Sequence, residues 1–112
     1  MSLDFYLEVP SGAGDDFSEV FSANITHNLG KMAGRCGLYN VLWHPEWERF
    51  EKAGEIVERL MDGLALLKAN EAFFRRFDSP NGWGKYEHFI SFVEEVAKAC
   101  HENRGATIRV SI

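Results

Sequence analysis

The sequence predicts an α+β fold: a small, mainly antiparallel sheet of about three strands, an N-terminal hairpin plus a C-terminal strand, with about three helices packed on one face. Three observations carry this. Both chain ends alternate apolar and polar residues with period two, the pattern of a strand with one buried face. The middle of the chain places apolar residues at helical spacing. The 112 residues, 46% hydrophobic and 13% aromatic, suffice for one core but not two, so residues 1–112 are read as a single domain.

Leu3, Phe5, Leu7 and Val9 share one face of the first strand, Leu3–Val9. The segment 10–16, rich in Pro, Ser, Gly and Asp, is a loop. Residues 17–23 form the second strand, with Phe17, Glu19, Phe21 and Ala23 on one face. Asn24 or Thr26 then caps a helix, because either side chain can accept from the unpaired N–H groups of a first turn. Gly37 marks that helix's end. Leu38–Trp43 is a short apolar turn or helix, and Pro45 with the following acids is a helix-start signature.

The clearest helix spans 53–70, where Ile56, Leu60, Leu64 and Leu67 line one face. Phe73, Phe74 and Phe77 extend it or pack just beyond it. A last helix covers 85–102, with Phe89, Val93, Val96 and Cys100 as its stripe, and Thr107–Ile112 is the terminal strand. Glu48–Lys52 and Glu94–Lys98 are expected as i,i+4 ion pairs. Two terminal strands are expected to pair, since a lone hairpin is marginal in water.

The net charge of −5 and the lack of a Lys/Arg run argue against a nucleic-acid partner. No apolar run approaches the roughly 20 residues of a membrane span, and the first residues lack the pattern of a signal peptide. A cytoplasmic protein with Cys36 and Cys100 reduced is the expectation. The four histidines and two cysteines show no CxxC, HxxxH or HExxH spacing, so neither a metal nor another cofactor is expected. Phosphate loops, Rossmann fingerprints and nucleophile elbows are also missing from the sequence.

Two constellations remain as candidate sites. Asn24, His27, Asn28 and Lys31 would share one face of a helix begun at Asn24, giving a polar cluster in which His27 can act as acid, base or ligand. The stretch Ser79–Glu87 joins Pro, Asn and two glycines to Trp83 and Tyr86, a shaped turn carrying large aromatics. Trp83, Tyr86 and Trp43 are the expected anchors of a protein interface, with core closure as the competing role. Cys36, beside Arg35, is a weaker candidate nucleophile, and Cys100 sits in an apolar stripe.

Three segments resemble a family of small bacteriophage and prophage proteins: Leu3–Val9, Asn24–Met32, and Asn81-Gly82-Trp83-Gly84-Lys85-Tyr86-Glu87 with the closing Ala106–Ser111. The Asn-Gly-Trp-Gly-x-Tyr element is the most specific of them. The resemblance implies phage or prophage ancestry; it carries no mechanism and transfers no catalytic roles. The functional expectation is a non-enzymatic protein-binding or regulatory module, with a host or phage protein as partner and self-association through the edge of an exposed terminal strand. The alternative is a small-ligand binder or enzyme built around Asn24, His27 and Asn28.

Overall fold

In the computed structural model, which describes residues 1–12, 14 and 16–112, three antiparallel strands carry the expected pattern. They are β1 (Ser2–Pro10), β2 (Phe17–Thr26) and β3 (Thr107–Ser111), in the order β2-β1-β3. Between β2 and β3 lie α1 (Gly30–Arg35), α2 (Tyr39–Trp43), α3 (Val57–Ala69), α4 (Glu71–Phe74) and α5 (Tyr86–Glu102). The expected loop over 10–16 includes Ala13 and Asp15, which lie outside the described residues.

The sheet has one covered face. Leu3, Phe5 and Leu7 of β1 are fully buried, and Ile25 and Ile108 on the flanking strands are nearly so. The alternate residues Asp4, Tyr6 and Glu8 face outward, where Arg109 of β3 reaches Glu8 at 3.1 Å. Apolar area removed from water by this face and the stripes of α3 and α5 is the main favourable term in folding.

The expected facing of β2 is corrected by a bulge. Leu7 pairs with Phe21 but Glu8 pairs with Glu19, so Val20 is the extra residue. Phe21, Ala23 and Ile25 therefore face inward, whereas Phe17 and Glu19 pair with outward residues of β1. Strand β2 also runs three residues past its expected end, to Thr26. Asn24 thus lies on a strand opposite Asp4, and the helical face expected for Asn24, His27, Asn28 and Lys31 does not form.

The helical layer is more broken than three helices. Thr26 caps the turn at His27–Leu29 by accepting from the Asn28 N–H. Gly37, at φ +78°, ends α1, and the Leu38 N–H closes back on the Ala33 carbonyl at 2.8 Å. Pro45 opens only a 3-10 turn, and Arg49 in the left-handed region stops it. That stop removes the helical register between Glu48 and Lys52, so Glu48 pairs with Arg59 of α3 instead. Glu94 likewise reaches across to Lys68 of α3 rather than to Lys98.

The expected strand edge is also corrected. The outer edge of β3 is bonded by the strip Glu51–Gly54, through a bridge of Lys52 with Thr107 and an Ile108 N–H to Glu51 carbonyl bond of 2.9 Å. Among the described residues, no backbone segment bonds to the outer edge of β2 in this way.

Candidate functional site

Where β2 ends, the chain turns into α1, and the turn before α5 folds back over the same place. The turn at 79–84 is closed by the Ser79 N–H donating to the Gly84 carbonyl at 2.9 Å and the Gly82 N–H donating to the Ser79 carbonyl at 3.1 Å. Asn81 Oδ1 accepts from the Trp83 N–H at 2.9 Å, and Asn28 Nδ2 donates to the Trp83 carbonyl at 2.8 Å. Gly84 is buried at φ +124°, a conformation L side chains rarely adopt. A Cβ there would stand 2.9 Å from Thr26 Cγ2, so glycine lets the turn lie directly on the end of β2.

These bonds fix the backbone of Trp83 but leave its indole outside, 72% exposed. The other two expected anchors are placed differently. Tyr86 is 6% exposed, and its hydroxyl donates to the Leu67 carbonyl at 2.6 Å. That carbonyl belongs to the last turn of α3, which has no intrahelical donor left for it. Burial raises the Tyr86 pKa, and the Arg75 guanidinium stacks over its ring at 4.8 Å. Trp43 is 2% exposed and donates its Nε1–H to His27 Nδ1 at 2.9 Å. Tyr86 and Trp43 therefore hold the core together, and Trp83 alone of the three meets solvent.

An indole N–H can only donate, so His27 Nδ1 accepts and the ring proton sits on Nε2. No carboxylate or nucleophile bonds to His27 among the described residues. Asn24 is no helix cap: its Nδ2 donates to Asp4 Oδ1 at 2.6 Å and to Ser2 Oγ at 2.8 Å. The amide donors of Asn24 and Asn28 are thus engaged in tying β1, β2 and the Trp83 turn together.

The two sequence candidates nevertheless meet in space. An open depression of about 690 Å³ is lined by Ser2, Asn24, Thr26, His27, Asn28 and Trp83. A second, of about 460 Å³, lies between β2 and α5 and is lined by Ala23–Thr26, the 82–84 turn, His88, Ser91, Phe92 and Glu95. Trp83, Asn24 and Thr26 border both. Sequence reasoning missed His88, Ser91 and Glu95, whose helical spacing reads simply as the solvated side of α5. Asp78 was missed too: its Oδ1 caps the start of α5 by accepting from the Tyr86 N–H at 2.7 Å. Trp47 is a further exposed indole, stacked on His44 with ring centroids 3.7 Å apart.

The cysteines do not meet the needs of a nucleophile. Burial pushes the Cys36 thiol up to about 11 and the Cys100 thiol up to about 12. Both are free and buried. Among the described residues, no three His, Cys, Asp or Glu side chains converge as metal ligands. No helix among the described residues is long and apolar enough to cross a membrane.

No family model matches this chain, and neither does any curated protein or solved structure. The functional reading therefore rests on the geometry around Trp83.

Proposed function

We propose that the chain is a non-enzymatic protein-binding module of phage or prophage ancestry, with Trp83 as the anchor of its contact. One observation carries the reading: an indole 72% exposed on a backbone fixed by bonds from Asn28, Asn81 and Ser79. A large apolar ring left in water on a rigid support is costly to the free protein and useful to a bound one. The support also lowers the entropy lost on binding, since the turn is already ordered. The open depressions on both sides suit a polypeptide surface better than an enclosed small molecule.

Asn28 supports this role by bracing the turn, while Asn24 ties β2 to β1 and His27 accepts from Trp43. Their reading as a small-ligand or catalytic site has less support, because their side-chain bonds are made within the chain. A photoreactive phenylalanine analogue at position 83 tests the proposal in cells of a bacterial host. A crosslinked band of discrete mass, missing when the analogue replaces exposed Glu58 on α3, is the expected result. Equal, diffuse crosslinking from both positions would contradict it.

A further inference from the structure

We propose that the groove between β2 and α5 receives an extended peptide segment of the partner by strand addition, with a Lys or Arg of that segment set against Glu95. This rests on the protein-binding reading above and names the kind of partner.

The His27 N–H donates to the Met1 carbonyl at 3.4 Å, next to the Ser2–Thr26 pair. In an antiparallel ladder this makes Ser2–Thr26 a non-hydrogen-bonded pair, and Asp4–Asn24 and Tyr6–Ser22 follow by alternation. The N–H and C=O of Ser22 and Asn24 therefore point away from β1. Among the described residues nothing bonds to them. The opposite edge of the sheet is bonded by Glu51–Gly54 at Thr107 and Ile108, whereas among the described residues no backbone bond reaches the outer edge of β2.

The open edge lacks the usual defences. From Phe21 to Thr26, Phe-Ser-Ala-Asn-Ile-Thr, there is no Pro, no Lys and no other charge. The bulge at Val20 limits the regular stretch to these six residues, a length of about 20 Å. Beside its last four residues, Ala23–Thr26, α5 supplies a wall of His88, Ser91, Phe92 and Glu95, and the Trp83 turn borders the same groove. An edge strand facing a helix across a groove is the arrangement in which main-chain bonds give affinity and alternate side chains give specificity.

Charge selects the occupant. No Lys or Arg lines the groove, and Glu95 has no ion-pair partner among the described residues. An incoming cationic side chain would supply one. A second copy would not: β2 carries no Lys or Arg, and each copy has a net charge of −5.

Selection from a display library of linear random peptides tests this, followed by calorimetry with the selected peptides. Expected are peptides alternating β-branched residues with Lys or Arg. Ser22→Pro, which removes an outward N–H while leaving the bonds to β1, should weaken binding by about tenfold or more. Ser22→Ala should leave it within about twofold. Glu95→Gln should lower affinity for the cationic peptides more than for their norleucine analogues. Should Ser22→Pro fail to fold, N-methylation of alternate peptide nitrogens must abolish binding to the wild-type chain. Peptides that bind Ser22→Pro normally but lose Trp83→Ala would overturn strand addition and leave the anchor intact. Peptides indifferent to both would overturn both readings. Failure to select any peptide, or a stable dimer that occupies β2, would overturn strand addition.

Discussion

Trp83 and Tyr86 stand three residues apart in one turn, yet their surroundings give them opposite roles. The indole is held out by its backbone, and the phenol is drawn in by the open carbonyl of Leu67. Replacing Tyr86 by Phe should destabilise the fold by about 1–3 kcal/mol, because it leaves a buried acceptor without a donor. Denaturant titration checks this, and a free energy unchanged from wild type would contradict it. Gly84→Ala meets a positive φ and the Thr26 methyl at once. Its expected cost is about 1–3 kcal/mol, together with a displaced turn, read as altered Trp83 fluorescence. The need for glycine at positions 82 and 84 was legible in the sequence. Which aromatic faced water was not, because exposure depends on where α3 ends relative to α5.

At the scale of elements, periodicity located β1, α5 and β3 closely, since each keeps one face against the core over its whole length. It failed where a single residue changes the register. Val20 reverses the facing of Phe17 and Glu19, and Arg49 breaks the helix expected after Pro45. The strip that covers β3 depends on Glu55, whose Oε1 accepts from the N–H groups of Glu51 and Lys52 at 2.7 and 2.8 Å. Those bonds, that of Lys52 foremost, lower the Glu55 pKa from its ordinary 4.5. A carboxyl depressed in the folded state adds stability that is present above its unfolded value and is lost as pH falls through its folded one. The stability gap between wild type and Glu55→Gln should therefore be full at neutral pH and shrink on acidification below about pH 4.5. Thermal midpoints across that range provide the check, and a gap that widens in acid would contradict the assignment.

The whole molecule measures 48 × 27 × 22 Å, long in one direction because β1 and β2 run on past the span covered by β3. Composition was enough to foresee one core, and the two alternating termini were enough to foresee that they share a sheet. The convergence of 24–28 with 79–84 was not legible, because it joins segments more than 50 residues apart through the Asn28–Trp83 bond. Cys36 and Cys100, both buried in the core, should resist thiol reagents in the native protein and react together on unfolding. Labelling followed by intact mass measures this, and fast modification of either thiol without unfolding would contradict the core they define.

The most direct test compares proteins captured from a cell lysate by the wild-type chain, Trp83→Phe and Trp83→Ala. With the indole 72% exposed, Trp83→Ala should unfold within about 0.5 kcal/mol of wild type. A discrete partner should be held by the wild-type chain, held more weakly by Trp83→Phe and lost by Trp83→Ala. A partner retained in full by a folded Trp83→Ala would contradict the claim that this turn is the anchor.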